Sequence, residues 1–245
     1  NPNGVVIGPG GRVDTAGFTA STLDLSNENF LRGGDLEFRG NSAAVVLNLG
    51  EISAFDGDVF LLAESVLNEG RIRAPRGAVG LAAGNDILVS EAGSERVFVR
   101  GSGSVQEDGV VNRGTVEASV AELKAHGGNI YGMAVKNEGR VAATAVSREG
   151  GQIFLRAGGS SGVRNSGQLV ARPVATPLSE AEPPVARIVV DAGIDGSIEN
   201  DGTIDASSEV GDGGDIFILG KSIDLFSESL ILADGDTGGG RGFVG

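Results

Sequence analysis

The feature that most restricts the fold of this chain is a short pattern, Asn-x-Gly-x-(Ile/Val/Leu)-x-Ala, which recurs six times without a mismatch. The copies begin at Asn48, Asn68, Asn112, Asn137, Asn165 and Asn200. They are 20, 44, 25, 28 and 35 residues apart, and a degenerate seventh copy covers residues 227–233. Self-similarity over such intervals is typical of solenoids, so each copy is predicted to belong to one stacked structural unit.

A second pattern, Gly-x-(Ile/Val)-x-(Leu/Ile), follows the first and predicts a second strand after a corner. It begins at Gly57, Gly77, Gly151 and Gly214, with a looser copy from Gly128. The interval of 44 residues is interpreted as two coils, the middle one degenerate around residues 87–89 and 97–99. The interval of 35 contains four prolines, which predict an inserted loop near residues 172–186 because proline cannot donate to a central sheet.

Within each copy the alternation is that of a β-strand, so Ile52 and Ala54 face one side while Glu51 and Ser53 face the other. One such strand cannot bury its apolar side alone. Stacking the next coil about 4.8 Å away pairs the backbone and continues the apolar column. The repeat then places asparagine on asparagine, which predicts a ladder of side-chain amides. The glycine two residues later is predicted to supply backbone freedom at the corner.

The fold predicted from this pattern is all-β: a right-handed parallel β-helix, or β-solenoid, with extra-helical loops. We expect about 10–11 coils and a rod on the order of 50 Å long. An α-helical fold is excluded because glycine and β-branched residues dominate each unit and no 3.6-residue apolar stripe runs through it. A β-propeller or sandwich would need many paired hairpin turn signals, and few are present.

Composition narrows the function classes. The formal net charge of −14 repels phosphate backbones, so no nucleic-acid partner is expected. The chain has no cysteine, which excludes disulfides and thiolate metal sites. It has 42 glycines yet is 40% hydrophobic, which distinguishes it from a disordered glycine-rich tract. Its apolar runs are too short for a membrane-spanning helix.

The N-terminal residues carry a family resemblance. The segment Asn1-Pro2-Asn3-Gly4-Val5 and residues 16–30, Ala-Gly-Phe-Thr-Ala-Ser-Thr-Leu-Asp-Leu-Ser-Asn-Glu-Asn-Phe, resemble the secretion domain of two-partner-secretion exoproteins. The closest resemblance is to the high-molecular-weight adhesins, and a more distant one is to filamentous haemagglutinin. The glycine-rich repeats and the tail at residues 237–244 are similar to the continuing coils of that family.

This resemblance implies a non-enzymatic exoprotein of a Gram-negative bacterium, secreted or held at the cell surface, without cofactors. It implies export through an outer-membrane two-partner-secretion transporter, with a host or neighbouring-cell receptor as a further partner. The secretion or folding motif of the family maps onto Asn1, Pro2, Asn3 and Gly4. Residues 1–40 are expected to hold the secretion-motif coils, with the family's cap upstream of them, and residues 41–245 the continuing coils.

One set of outward positions is apolar. In the second strand of each coil, the residue between the two inward apolar residues is predicted to face outward. From coil to coil this position is occupied by Phe60, Phe98, Tyr131, Phe154, Val189 and Phe217. If these residues are exposed, they form an interaction stripe for another chain. The alternative is that loops cover the stripe or that some of these side chains turn inward.

The sequence gives little support for a catalytic site or a metal site. The pairs Asp56/Asp58, Asp212/Asp215 and Asp234/Asp236 lack the nonapeptide of repeat-type calcium sites and are interpreted as turn residues. His126 is the sole histidine and has no evident catalytic partner. The four residues Asp191, Asp195, Asp201 and Asp205 would suit a β-helical polysaccharide-processing enzyme only if they converged.

Three hypotheses therefore remain open. The first is a β-helical structural or adhesive rod exported by a transporter. The second is a self-assembling filament subunit, since the ends of a solenoid can stack head to tail. The third is the polysaccharide-processing enzyme, which a cleft of converging carboxylates would favour.

Overall fold

The computed structural model describes residues 1–100, 108–127, 132–145, 151–173 and 185–245. Within these ranges the chain is almost entirely β-structure, with one short helix, Asn27–Arg32 (α1). In chain order the strands are Val5–Ile7 (β1), Arg12–Thr15 (β2), Phe18–Ser21 (β3), Asp24–Leu25 (β4), Leu36–Arg39 (β5), Val45–Asn48 (β6), Glu51–Ala54 (β7), Val59–Ala63 (β8), Ser65–Asn68 (β9), Arg71–Ala83 (β10), Asp86–Val89 (β11), Val97–Val99 (β12), Val110–Asn112 (β13), Thr115–Gly127 (β14), Met133–Asn137 (β15), Arg140–Ala145 (β16), Gln152–Gly159 (β17), Gly162–Asn165 (β18), Gln168–Pro173 (β19), Arg187–Asn200 (β20), Thr203–Asp205 (β21), Asp215–Leu225 (β22), Leu230–Leu232 (β23) and Arg241–Val244 (β24).

Twenty of these strands pair in parallel and wind the chain into a β-helix, as the repeat predicted. Each coil has three faces, which the first coil builds from β1, β2 and β3. The strands β10, β14, β20 and β22 bend through a corner and serve two faces each. The register places like on like, since Ile72 pairs with Ile52 on one side and with Val116 on the other. The parallel β-helix is therefore confirmed, while its right-handed winding stays a prediction.

The described strands make eight coils rather than the predicted ten or eleven, and the interval of 44 residues accounts for one coil of the difference. Asn68 pairs directly with Asn112, so this interval is a single coil carrying an excursion. The strands β11 and β12, interpreted from sequence as a middle coil, leave the solenoid and pair antiparallel with each other. That interpretation was wrong because their alternating apolar residues suit any half-buried strand and do not specify the partner.

A four-stranded antiparallel sheet lies outside the β-helix, in the order β12-β11-β5-β4. Two excursions far apart in sequence build it. The first leaves after β3 and forms β4, α1 and β5, and the second leaves after β10 and forms β11 and β12. Ser26 caps the start of α1 by accepting the N–H of Asn29. Gly33 caps its end, with a φ of 70° that few other residues adopt.

The interior of the β-helix is a continuous column of small aliphatic side chains drawn from all three faces. Ile52, Ile72, Val116, Val141, Leu169 and Ile204 stack as one buried file of this column. Ile, Val, Leu and Ala suit this interior because side chains from three faces converge there and must pack closely around one axis.

The repeat glycines are required for close approach, not for an unusual backbone angle. A Cβ on Gly139 would lie less than 3.0 Å from the carbonyl oxygen of Gly114, one coil earlier, and Gly70, Gly114, Gly167 and Gly202 are crowded in the same way. The Gly114 oxygen also accepts the Arg140 N–H at 2.9 Å, which fixes the approach. None of these glycines has a left-handed φ. The predicted role in backbone freedom at the corner is therefore wrong.

The inserted loop predicted near residues 172–186 falls mostly on residues 174–184, outside the described ranges. Its flanks are placed: β19 ends at Pro173 and β20 begins at Arg187. The proposed division of the chain at residue 40 stays a prediction. Among the described residues, no helix combines the length and apolarity needed to cross a bilayer.

Candidate functional site

The predicted secretion motif, Asn1 to Gly4, forms a tight turn on the first coil. The Gly4 N–H donates to the Asn1 carbonyl oxygen at 3.1 Å, and the Asn3 N–H donates to Asn1 Oδ1, also at 3.1 Å. Pro2 presets the φ that the second position of such a turn requires. Gly4 adopts a φ of 100°, which a residue with a Cβ rarely does.

Two contacts fasten this turn to the body of the β-helix. The Asn1 backbone nitrogen donates to the Ser21 carbonyl oxygen at 2.7 Å, and the Ser42 hydroxyl donates to the Pro2 carbonyl oxygen at 2.7 Å. The side chains of Asn1, Pro2 and Asn3 nevertheless remain exposed. The motif is thus held in place from beneath while its outer surface faces solvent, an arrangement suited to recognition.

The six repeat asparagines lie in one buried column, each on the asparagine of the preceding coil. Side-chain nitrogen donates to side-chain oxygen down the column at 2.7–2.8 Å, in the order Asn48, Asn68, Asn112, Asn137, Asn165, Asn200. Both ends of the column have substitute partners. Asn48 Oδ1 accepts the Gly50 N–H, and Asn200 Nδ2 donates to the Ser229 hydroxyl. Leu225, not Ser227, occupies the asparagine position in the degenerate seventh copy.

The predicted apolar stripe differs from the observed outer column. Phe60, Gly80, Glu122, Phe154, Val189 and Phe217 stack in successive coils on the outside of the third face. Phe98 is not in this column, because it belongs to the extra-helical sheet. Tyr131 lies outside the described residues.

This column is not an exposed stripe. Phe60 is only 6% exposed, Phe154 3% and Val189 7%. The extra-helical sheet covers Phe60, with Phe38, Ile87 and Val97 packed over it. The prediction of an exposed interaction stripe is therefore wrong for these residues. For Phe60 the alternative is confirmed, because segments outside the β-helix cover it. Sequence alternation shows which side of a strand is outward but not what another segment lays over it.

A charged cluster lies where the edge of the extra-helical sheet meets the β-helix. The Glu122 carboxylate, with no exposed surface, accepts the backbone N–H of Arg96 at 2.6 Å and of Val97 at 3.1 Å. Lys124 donates to the Val97 carbonyl oxygen at 2.7 Å and contacts Glu122 at 2.6 Å. The two side chains therefore satisfy the free edge of β12 as a neighbouring strand would.

The cluster continues outward as a network of ion pairs. Arg156 forms a two-point pair with Glu95, with both N–O distances 3.0 Å, and also contacts Asp191. Lys124 contacts Glu95 at 2.6 Å, and Arg96 contacts Asp58 at 3.1 Å. Gly80 makes room for the docked strand, since a Cβ there would lie less than 3.0 Å from the Val97 side chain.

Burial and charge shift the pKa values of the two glutamates in opposite directions. Burial raises the pKa of Glu122 above its usual value, against the opposing effects of the Lys124 ammonium and the two backbone N–H groups. Burial also acts to raise the pKa of Glu95, but its hydrogen bonds and charge contacts with Lys124 and then Arg156 outweigh it and lower that pKa. Glu95 is thus held as an anion.

A cleft of about 400 Å³ opens beside this network, between β12 and the third face. Phe98 and Val99 form one wall, His126 and Gly158 another, and Arg156 lies at the charged end. The ring nitrogen Nδ1 of His126 is shielded and has no hydrogen-bond partner in the described part of the chain. No catalytic partner of His126 emerges there either.

The four carboxylates considered for an enzyme do not act together. Each contacts a different basic residue: Asp191 contacts Arg156, Asp195 contacts Lys221, Asp201 contacts Arg164 and Asp205 contacts Arg172. Of the candidate calcium residues, Asp56 pairs with Arg76 and Asp215 with Arg241. Within the described ranges no group of three or more His, Cys, Asp or Glu residues is placed to hold a metal ion.

Sequence reasoning missed the Glu122 cluster, although a signal was present. Glu122 and Lys124 stand at outward positions where the coils before them carry Gly80 and Ala82, under the sheet. Two successive outward positions thus change from small residues to charged ones. This change marks the coil at which the extra-helical sheet ends. What Glu122 contacts could not be predicted, because its partners come from a distant excursion.

Comparisons with known proteins agree with this architecture. The family model described as the TPS secretion domain, for two-partner secretion, matches residues 1–170. Among solved structures, the HMW1 secretion domain from Haemophilus influenzae superposes with a TM-score of 0.54 at 21% identity. The match covers 98% of this chain and 78% of that one, and it shows the fold. A search of curated proteins finds no match.

The resemblance noted from the N-terminal residues is therefore confirmed, since the family model begins at the exposed turn and spans more than half of the chain. The chain belongs to the TPS secretion domain family, the secretion domains of two-partner-secretion exoproteins.

Proposed function

We propose that this chain directs an exoprotein across the outer membrane of a Gram-negative bacterium by binding a dedicated two-partner-secretion transporter through the turn Asn1–Gly4. Family membership over residues 1–170 is the observation that carries the export role. The rod of stacked coils serves as a structural and adhesive element at the cell surface. The receptor that an adhesive rod would contact is a partner of the complete exoprotein.

The geometry of the turn supports its role in recognition. Asn3 contributes only its backbone to the turn, through the bond to Asn1 Oδ1 at 3.1 Å. Within the described residues its exposed side chain makes no hydrogen bond, so the amide is available to a partner. Ser42 and Ser21 hold the turn against the first coil, so that a partner would meet a preformed surface.

The separate pairing of the four candidate carboxylates supports a non-enzymatic role. Hydrolysis of a glycosidic bond typically uses two carboxyl groups that flank one sugar bond. Here Asp191, Asp201 and Asp205 are each engaged by a different arginine. The site favours a binding surface over a reaction centre.

The test is transporter-dependent export of the full exoprotein, measured in culture supernatant with and without the cognate outer-membrane transporter. We expect export only when the transporter is present, and export independent of it would overturn the proposed function. Asn3→Ala removes an exposed amide without touching the hydrogen bonds of the turn, so export should fall while the melting temperature stays unchanged.

Two matched variants separate recognition from folding. Thr15→Ala removes another exposed polar side chain of the first coil, one that donates to the Gly17 carbonyl oxygen at 3.0 Å, and should leave export unchanged. Ser42→Ala loosens the attachment of the turn and should lower export less than Asn3→Ala. Full export of Asn3→Ala would show that the turn is not the recognition element.

A further inference from the structure

We propose that the Asn3–Gly4 step is a site of spontaneous deamidation, by which the exposed turn converts with age from a neutral amide to a carboxylate. The modification itself is a matter of backbone chemistry. Its consequence for export rests on the proposed function of the turn.

The sequence around Asn3 permits the reaction where the other asparagines resist it. Asn3-Gly4 is the sole Asn-Gly step in the chain. A glycine has no Cβ to shield its backbone nitrogen from the side chain before it, so the ring-forming attack is least hindered there. Asn1 is followed by Pro2, whose nitrogen carries no proton and cannot serve as the nucleophile.

The structure sets Asn3 apart from the six asparagines of the ladder. Those of the ladder are buried, and each side-chain nitrogen is engaged in a hydrogen bond, as between Asn112 and Asn137 at 2.8 Å. Asn3 is exposed, and its side chain makes no hydrogen bond within the described ranges. The Asn3 amide can therefore rotate toward the Gly4 nitrogen, whereas a ladder amide would first have to break the column.

One interaction opposes the reaction. The Gly4 N–H donates to the Asn1 carbonyl oxygen at 3.1 Å, and this bond has to open before the nitrogen can attack. The opening is local, because the turn lies at the surface and is held by the Ser42 hydroxyl and one further backbone contact. Exposed turns open at a small fraction of the free energy of global unfolding.

The chemistry balances without an oxidant or cofactor. The Gly4 nitrogen loses its proton to water or hydroxide and attacks Asn3 Cγ, forming an N–C bond. The Cγ–Nδ2 bond then breaks and ammonia leaves, which closes a five-membered succinimide. Water opens the ring at either carbonyl, giving aspartate or a β-linked isoaspartate, so that one water is consumed for each ammonia released.

The product differs from the original turn in charge and in backbone length. Either product adds a negative charge to a chain whose formal net charge is −14. The β-linked form also inserts a methylene between Asn3 and Gly4, which alters the spacing of the bond from Gly4 to Asn1. A partner that recognises the amide would therefore bind the aged turn less well.

The experiment is peptide mapping by mass spectrometry of the purified full chain, incubated at mildly alkaline pH and body temperature. Conversion at residue 3 should appear as a gain of about one mass unit with an isoaspartate signature, severalfold faster than at Asn41. Asn41 is exposed and precedes Ser42 rather than glycine, so it is the internal reference. Equal rates at the two positions, or no conversion at Asn3, would overturn the proposal.

The variant Asn3→Gln provides the control, because its longer side chain would have to close a six-membered ring and should stay unmodified. If aged chain shows conversion at Asn3 yet is bound by the transporter as well as fresh chain, the modification stands and the recognition role of the turn fails. If fresh chain binds and aged chain does not, both stand. The two proposals can therefore fail separately.

Discussion

The side-chain nitrogen of Asn112 lies 2.8 Å from the side-chain oxygen of Asn137, and both residues are fully buried. The same bond recurs between every successive pair of the ladder, so each interior amide donates to one neighbour and accepts from the other. A buried amide is tolerated only because both of its bonds are made. The column is therefore sensitive to the loss of any interior member.

Asn137→Ala should destabilise the β-helix by more than the loss of one hydrogen bond. It leaves the Asn112 donor and the Asn165 acceptor buried without partners, at a cost of about 1–3 kcal/mol for each group. Chemical denaturation with urea measures the change. The exposed Asn41→Ala is the control and should be nearly neutral. Equal effects of the two variants would show that the ladder contributes nothing specific.

Gly139→Ala should destabilise the chain by about 1–3 kcal/mol, because the new Cβ would press on the Gly114 carbonyl oxygen and force the two coils apart. Thermal unfolding followed by circular dichroism measures the effect. Gly8→Ala is the matched control, since a Cβ there meets nothing within 4 Å. It should be neutral or slightly stabilising through the unfolded state. A neutral Gly139→Ala would contradict the close-approach explanation.

Lys124→Met should cost about 3–5 kcal/mol, because it leaves the buried Glu122 carboxylate without its ammonium partner. The Val97 carbonyl oxygen also loses its donor, so the edge of the extra-helical sheet should loosen first. Hydrogen exchange at Val97 and along β11 should accelerate before that of the β-helix interior.

The control for this variant is an ion pair at the surface. Arg73 and Glu117 lie 3.0 Å apart with half-exposed side chains, so Arg73→Met should cost about 1 kcal/mol or less. A comparable loss in Lys124→Met and Arg73→Met would mean that burial of the Glu122 pair has no energetic weight.

Part of the stability should be lost in acid through Asp205. Burial acts to raise its pKa, but hydrogen bonds from Arg172 and Ser207 and the Arg172 charge outweigh burial, so the pKa lies below the usual 3.8. A group whose pKa is lower in the folded chain stabilises it above the unfolded value. That contribution is lost as the pH falls from 3.8 through the lower folded value.

Asp205→Asn should therefore lower the melting temperature at neutral pH and flatten its decline below pH 3.8. Asp195→Asn is the control, since Asp195 is largely exposed and lies 4.0 Å from Lys221. It should leave the acid profile unchanged. A profile of Asp205→Asn parallel to that of the original chain would contradict the assignment.

The solenoid could be predicted from sequence because its information is local and repeated. Each copy of the pattern carries the asparagine of the ladder, the glycine of close approach and an inward aliphatic residue, and six copies reinforce one register. The Asn1–Gly4 motif likewise depends on four consecutive residues, whose turn chemistry follows from proline and glycine. For such features, spacing along the chain fixes spacing along the rod.

Only the tertiary structure decided what happens outside the coils. The sequences of β11 and β12 suit a strand of the β-helix as well as a strand of the extra-helical sheet. The pairing of β11 with β5 links segments about fifty residues apart, as in Ile87 with Phe38. Whether Phe60 was an exposed anchor or a covered core residue depended on that pairing. So did the role of Glu122, whose partners Arg96 and Val97 belong to the excursion. Periodicity determines which side of a strand faces outward, but the segment that packs there is chosen by the free energy of burying that surface, which no single strand encodes.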